Sequence, residues 1–282
     1  MDNRIKEILC CPKCHNKLTG SKNELFCRQC RKSYPSESGV PYFVKPIRRQ
    51  NPNNGLIKRI LKLFKAPRPT KMLNHIWTKE DPVHFHIKLK EFTDRFKGKN
   101  VLDIGSGGRR LGNNVIAMDL AAENIDLAAD AHALPFKNNS FDAVVIQAVL
   151  EHVENVEKVV QEAGRVLKKN GEIFAEIPFL CPVHNDPRDF RRYTPDGFKQ
   201  LFKGFTILDF GIAMGPSSAF SYSLRYYLAM LLSFNSNILF EAWWNIVGWL
   251  TFWIKYIDNL GLARNKRAEH MALSYFIHVK KK

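Results

Sequence analysis

The sequence predicts an α/β fold: a seven-stranded, mostly parallel sheet with its last strand antiparallel. A small cysteine module precedes the sheet, and a hydrophobic helical insert interrupts it before the last strand. Three features predict this. The run Lys99-Asn100-Val101-Leu102-Asp103-Ile104-Gly105-Ser106-Gly107-Gly108 is a short apolar strand that opens into a glycine turn. Further apolar runs follow it, and each of the next two ends on or just before an acid, Asp119 and Asp130. Two Cys-x-x-Cys pairs lie within the first thirty positions. With 282 residues the chain has room for one full α/β domain and a small module.

Cys11 and Cys14 form the first pair, Cys27 and Cys30 the second. Each knuckle places two thiolates on one side of a tight turn, and two facing knuckles make the tetrahedral sulfur site that Zn2+ prefers. A disulfide pair, or a ribbon that has lost its metal, are the other readings of the same spacing. Cys10 is an additional thiol beside the first knuckle and is not expected to be a ligand. Six cysteines, four of them in metal-type pairs, lead to the expectation of a reducing cytoplasmic setting, and Met1 to Ile8 shows no signal-peptide pattern. The first 45 residues are assigned to this module.

Residues 46–98 are read as a basic amphipathic linker and a helical lead-in. No acid occurs from Lys45 to Lys79, and Ile57, Ile60, Leu61 and Phe64 fall on one helical face among Lys58, Arg59, Lys62 and Lys65. Such a helix suits an anionic membrane surface, the face of a neighbouring domain, or nucleic acid. The charge balance agrees: 43 Lys and Arg against 27 Asp and Glu give a formal net charge of +16. Phe85, Leu89, Phe92 and Phe96 recur at helical spacing and are expected in the core. Trp77 and His86 are candidates for a lid.

Residues 99–282 hold the sheet. Asp103 is an acid inside an apolar run, which costs stability unless it faces a polar or cationic ligand. Val115 to Asp119 and Ile125 to Ala129 are the second and third strands, and Phe141 to Ile146 the fourth. Between Asp103 and Asp119 lie four glycines and two asparagines, so the first crossover helix is expected to be absent or reduced to a turn. Glu151 to Lys169 carries apolar residues on one helical face, with Asn170-Gly171 as a stop. Glu172 to Ile177, Phe205 to Ile212 and Ala272 to Val279 complete the strands. The loop Pro178 to Tyr193 overhangs the carboxyl end of the fifth strand and is rich in polar groups, which points to function. His184 is the candidate general base with His152 as a second, and Arg191, Arg192 and Tyr193 are candidates for gripping substrate.

The insert, residues 216–265, contains Tyr222, Tyr226, Tyr227, Trp243, Trp244, Trp249 and Trp253. Its apolar run Ile238 to Ile254 is slightly short for a membrane span and contains Glu241 and Asn245. Two helices dipping into a bilayer interface fit this composition, as do a dimer interface or a cap over the cleft.

The motifs in register resemble the class I S-adenosylmethionine-dependent methyltransferases, in the branch with Leu134-Pro135-Phe136, Phe141-Asp142 and Glu151-His152-Val153. The resemblance covers roughly residues 99–210. It implies a Rossmann-like methyltransferase sheet that binds S-adenosylmethionine through Asp103, Gly105, Ser106 and Gly107 around the methionine portion. Asp119 and Leu120 are implied at the ribose, Asp130 and Ala131 at the adenine, and Gln147 at the clasp. Arg109 stands where the family has its third glycine, and Arg109 or Arg110 is a candidate partner for the cofactor carboxylate. The cysteine module is similar to the zinc-ribbon activator subunit of tRNA and protein methyltransferases, here fused in one chain, with a structural Zn2+.

The expected function is methyl transfer to a small-molecule, glycan or lipid-linked acceptor at the inner membrane face. One alternative is an RNA methyltransferase. The fifth-strand exit Ile177-Pro178-Phe179 lacks the Pro-Pro-aromatic motif of base amino-group methylation. The other alternative is a binding module without turnover.

Overall fold

The computed structural model describes residues 3–21, 23–45, 83–120, 123–185 and 188–282, with the side chains of 83–87 excepted. The basic run from Ile57 to Lys65 and Trp77 therefore lie outside the described residues, as do the side chains of Phe85 and His86.

The cysteine module begins with α1 (Asn3–Ile8). It continues with β1 (Thr19–Gly20), β2 (Glu24–Cys27), β3 (Lys32–Glu37) and β4 (Val40–Pro41), an antiparallel sheet in that order. The lead-in helix α2 (Val83–Arg95) precedes β5 (Val101–Ile104), β6 (Val115–Asp119), β7 (Leu127–Ala128) and β8 (Phe141–Gln147). Then come α3 (Val156–Val166), β9 (Leu167–Pro178), α4 (Pro195–Leu201), β10 (Phe205–Met214), the insert helices α5 (Pro216–Leu232) and α6 (Asn237–Thr251), and β11 (Ser274–Lys281). The large sheet runs β10-β11-β9-β8-β5-β6-β7. β11 is antiparallel to both neighbours and the remaining pairs are parallel. This is the expected seven-stranded sheet with an antiparallel last strand.

Strand alternation sends side chains to two faces. Val101, Val115, Ala143, Val145, Phe174 and Phe276 face α2, where Leu89, Phe92 and Phe96 are buried as expected. Leu102, Ile104, Ile116, Met118, Val144, Ile146, Ile173 and Ile277 lie on the other face, under α3, Phe198 and Phe202.

The same face is also covered by the cysteine module. Ile5, Leu9, Leu25 and Tyr34 are buried in one continuous core with the sheet. Backbone bonds stitch the two together: Cys10 N to Pro135 O (2.9 Å), Lys137 N to Ile8 O (2.9 Å) and Phe43 N to Ala128 O (2.8 Å). Tyr42 adds a parallel bridge beside β7. Residues 105–114 form turns, as the glycine and asparagine content predicts, and no helix joins β6 to β7 or β7 to β8 among the described residues. The module takes the place those crossover helices would fill.

The helix expected over Glu151–Lys169 is shorter. Leu150–His152 is a 3-10 turn and Val153 is extended (φ −104°, ψ 143°). Asn155 caps α3 by accepting from Lys158 N at 2.9 Å. Leu167 is already extended, because it pairs with Phe141 at the start of β8. Asn170, at φ 64°, serves as a kink in a strand rather than a helix stop.

α5 and α6 form an antiparallel hairpin. Tyr222, Tyr226, Phe240 and Trp244 interlock between them, and the Arg225 guanidinium lies 4.0 Å from the Trp244 ring centre. The first turn of α5 has no cap of its own at Gly215. Buried Asp258 caps it from afar, accepting from Ser217 N (3.0 Å), Ser218 N (3.2 Å) and Ser218 Oγ (3.2 Å). Asp258→Ala is expected to cost about 1–2 kcal/mol, read as a lower urea midpoint with an unchanged slope. An unchanged midpoint would show that the cap contributes nothing.

Candidate cofactor cleft and its flanking cluster

Both ends of the cleft are set by strand order. β8, β5, β6 and β7 are parallel neighbours, so their carboxyl ends lie side by side. Gly105 (φ 67°) turns the chain out of β5, and a Cβ there would come within 2.3 Å of Val149 Cγ2. Gly107 (φ 58°) has nothing within 4 Å of where a Cβ would stand, so its outer side is open. Ser106 is buried, with its N–H on Met118 O at 3.0 Å.

Asp119, at the tip of β6, accepts from Gly107 N at 2.9 Å and so couples the second strand to the glycine turn. Asp103 is fully buried. Arg109 Nη2 donates to its Oδ1 at 2.8 Å, and the Arg109 Nε to its Oδ2 at 3.3 Å. The same guanidinium reaches Gln147 Oε1 at the end of β8. Burial pushes Asp103 up to about 6, Arg109 pulls it back, and the Asp119 carboxylate adds to the rise. Ala129 N on Asp119 O (3.2 Å) ties the third strand's exit to the second. Just beyond it Asp130 receives His132 N at 2.9 Å and His132 Nδ1 at 2.6 Å. Leu120 is half-buried and Ala131 buried beside these acids. All the residues expected at the cofactor are therefore at the carboxyl ends of four adjacent strands. Arg110 points elsewhere, to Asp126 (2.6 Å) and Asn124.

The Leu134-Pro135-Phe136 run is held between α3 and the module. Glu162 Oε2 accepts from Leu134 N (2.9 Å), and Arg165 donates to Leu134 O (2.9 Å) and Phe136 O (2.7 Å).

A second cluster flanks the cleft at the exits of β8 and β9. Ala148 takes a left-handed conformation (φ 52°), which throws Leu150–His152 sideways. Glu151 is fully buried and neither of its carboxylate oxygens has a hydrogen-bond partner. His184 Nε2 stands 3.7 Å from Glu151 Oε1, and His152 Nε2 stands 3.8 Å from it. The two rings meet edge to face with centroids 5.0 Å apart. Cys181 and then Glu151 push the His184 imidazole up to about 10, against its burial. Sequence reasoning named both histidines but passed over Glu151; the adjacency of an acid and a histidine at a strand exit was the available signal.

Of the arginines in the overhanging loop, Arg192 is engaged within it, while Arg188 and Arg191 reach across to Glu154. Arg192 donates to Asp189 Oδ2 (2.7 Å) and to the carbonyls of Cys181 (3.2 Å), Pro182 (3.1 Å) and Arg191 (2.9 Å). That guanidinium holds the Asp189 carboxyl down at about 2. Arg191 Nη2 donates to Glu154 O at 2.7 Å, and half-buried Tyr193 packs at the edge of the core.

In the N-terminal module, Cys11, Cys14, Cys27 and Cys30 bring their sulfurs within 4.8 Å of one another. Cys14 and Cys27 are 3.5 Å apart. A tetrahedral ion bound at 2.3 Å by four sulfurs spaces them by roughly 3.8 Å, so the set fits Zn2+. Tyr34 Oη (3.3 Å from Cys11 Sγ) and Cys30 N (3.4 Å from Cys27 Sγ) provide hydrogen bonds to sulfur. Cys10 is buried and its thiol is pushed up to about 11 by that burial, which leaves it inert.

A family model described as a methyltransferase domain matches residues 100–175, which span β5 to the middle of β9. The chain carries a class I methyltransferase domain. An uncharacterized protein of Methanocaldococcus jannaschii is 31% identical over 136 residues, 43% of this chain and 66% of that protein. A ubiquinone/menaquinone biosynthesis C-methyltransferase of Brucella canis is 29% identical over 36% of this chain, and the chain spans only 40% of its length. A ubiquinone biosynthesis O-methyltransferase of Pelagibacter ubique is 28% identical over 56% of this chain and 73% of its own. Among solved structures, phosphoethanolamine N-methyltransferase 2 of Haemonchus contortus aligns with a TM-score of 0.46 at 18% identity, over 70% of this chain and 52% of its own. The matched segment of the methyltransferase domain contains Asp103, Asp119, Asp130, Gln147, Glu151 and His152, but neither His184 nor the insert.

Proposed function

We propose that this chain transfers a methyl group from S-adenosylmethionine to a small, lipid-borne acceptor at a membrane face. The observation that carries this reading is where the insert leaves the sheet. β10 runs parallel to β9, so Met214 and Ser274, which bracket the insert, lie at the cleft end of the sheet with Pro178. Among the described residues, the insert is the part richest in exposed apolar side chains. Phe234 at the hairpin tip is 85% exposed, Leu250 68% and Leu260 87%, with Phe220, Tyr227, Met230, Leu231, Ile238 and Trp253 also exposed. Phe234 adopts a left-handed backbone (φ 45°), strain that a bulky residue retains at functional positions. None of the described helices is long and apolar enough to cross a membrane, so the hairpin fits insertion into one leaflet's interface. The ubiquinone-pathway names of two relatives point the same way, since quinones are lipid-soluble.

The residues present fit the cofactor. Asp103 gives a buried carboxylate for its cationic end, Asp119 an acceptor for the ribose, Asp130 an acceptor near the adenine, and Gly107 an open backbone path. When bound, S-adenosylmethionine supplies an activated methyl group. The chain's own work is then alignment and exclusion of water. An oxygen acceptor must also lose a proton; His152 and the buried Glu151 carboxylate lie beside the cleft for that role, whereas His184, raised to about 10, holds its own proton at neutral pH until something displaces it. The Cys11–Cys14–Cys27–Cys30 set is proposed to hold a structural Zn2+.

Two measurements test the reading. The protein is expected to float with vesicles of anionic phospholipid, and to keep part of that binding in high salt because the hairpin contact is apolar. Phe234→Glu with Leu250→Glu is expected to abolish the salt-resistant part. Incubation of the protein and labelled cofactor with a cell extract is expected to carry label into the solvent-extractable lipid fraction. Label in RNA alone, with no flotation, would overturn the proposal.

A further inference from the structure

We propose that Glu151, His152 and His184 form a binding site for a divalent first-row transition-metal ion, separate from the cysteine module. The three residues offer one carboxylate oxygen and two imidazole nitrogens within 4.8 Å of one another.

The wiring of the two rings carries the inference. His152 Nδ1 is turned to Arg188 O, and His184 Nδ1 to Pro182 O at 3.2 Å. A backbone carbonyl can only accept, which puts the N–H of His152 at Nδ1; at His184, where Asp189 Oδ2 and the Arg192 Nη2 donor each lie 3.5 Å from Nδ1, the nearer Pro182 O favours the same tautomer, and each Nε2 faces inward. Both Nε2 atoms then converge on a carboxylate that is fully buried and receives no hydrogen bond. Separations of 3.7 and 3.8 Å are too long for hydrogen bonds. They are close to the roughly 3–3.7 Å expected between ligands that share one ion at about 2.1 Å. A buried carboxylate that receives no hydrogen bond is unfavourable unless positive charge lies beside it, and at these separations an ion shared with both rings supplies that charge more directly than an imidazolium does.

Two imidazoles and one carboxylate, each ring steadied through its outer nitrogen, make a donor set for Zn2+, Co2+, Mn2+ or Fe2+ rather than for Ca2+ or Mg2+. His184 is the partly exposed member, at 34% of its side chain, so the open coordination positions face outward beside it. The site abuts the cleft, because Glu151 follows Gln147 by four residues and Val149 packs on Gly105. An acceptor oxygen bound there would be acidified as a metal ligand. That role rests on the methyl-transfer reading; occupancy by the ion does not.

The test uses the full chain with its cysteine module loaded with zinc and Co2+ as the probe. Isothermal titration and the visible d–d absorption of Co2+ should show one further equivalent per chain. Glu151→Gln and His184→Ala should each weaken it at least tenfold, with the zinc content of the cysteine module unchanged. Glu151→Gln is near-isosteric at a fully buried position; His184→Ala, at a half-buried one, supplies the answer if the first variant does not fold. Absence of a further equivalent in the unaltered chain, or undiminished Co2+ binding by a folded variant, overturns the site. Titration of S-adenosylmethionine into the same samples reports separately: a chain that binds Co2+ at these residues but not the cofactor keeps the metal site and loses the methyltransferase reading.

Discussion

Stripping zinc from the cysteine module, or replacing Cys27 with Ser, is expected to unfold the methyltransferase sheet and not the module alone. Ile5, Leu9, Leu25 and Tyr34 are buried against the face that carries Leu102, Ile104, Ile116 and Met118. Fully burying one large apolar side chain stabilises by about 1.5–3 kcal/mol, so the four together contribute roughly 6–12 kcal/mol before chain entropy is subtracted. A whole domain is stable by about 5–15 kcal/mol. α2 covers the opposite face of β5 and β6, and α3 brings its own apolar face farther along the sheet, but on the module's side of β5, β6 and β7 the described residues place this module and no crossover helix. With the proposed Zn2+ bound, a module of this size would owe its fold to the metal, so chelation would remove the cover as well as the ion. Calorimetry should show one cooperative transition, with Tm lowered by at least about 10 °C on chelation. A fragment from residue 46 onward should be insoluble or molten. Two separate transitions, or a fragment that melts like the whole chain, would mean that the module is a passenger.

Asp103→Asn is expected to weaken S-adenosylmethionine binding about 100-fold while leaving the fold intact. The Asp103 carboxylate is buried at the end of β5, where only a cation can repay its desolvation, and Arg109 occupies that role in the structure. Losing one member of a buried, hydrogen-bonded charge pair costs about 2–5 kcal/mol, and 100-fold corresponds to about 2.7 kcal/mol. The pH dependence has a defined sign. The Asp103 carboxyl is raised to about 6 in the folded chain. A cationic ligand binds its ionised form, so affinity should fall as pH drops below about 6, approaching tenfold per unit. Stability should run the other way. A carboxyl raised on folding disfavours the fold when ionised, so the contribution of Asp103 becomes more favourable as pH falls from about 6 towards 4. Titrations at pH 7.5 and 5 on the unaltered protein and Asp103→Asn check both. Equal affinity at the two pH values would assign the cation's partner elsewhere.

The sheet was legible because its signals are local. Apolar runs, glycine turns and acids at strand tips define β5 to β9, and the lack of helix formers between Asp103 and Asp119 announced a missing crossover helix. What replaces that helix was not legible, because covering a face is a tertiary fact. The burial of Ile5 and Leu9 against Phe136 joins segments some 130 residues apart, which no periodicity encodes. The helix over Glu151–Lys169 was overread for a similar reason: its apolar spacing is genuine, but Leu167 is drawn into the sheet by Phe141. The loop after β9 was correctly marked as polar and packed with charge. The internal contacts of Arg192 and the convergence of His184 on Glu151 depend on how that loop folds back over the 3-10 turn at Leu150–His152. Arg109 illustrates a middle case. Its departure from the glycine pattern was visible in the sequence, whereas its grip on Asp103 required the turn's geometry.

The central claim is that the carboxyl ends of β5, β6 and β7 together hold one adenosyl sulfonium. Isothermal titration of S-adenosylmethionine into the full-length chain at pH 7.5 tests it most directly. One molecule should bind per chain with a saturable heat signal, and Asp119→Ala should weaken it as Asp103→Asn does. A flat titration from a folded, zinc-loaded protein would contradict the claim, and so would binding that neither substitution alters.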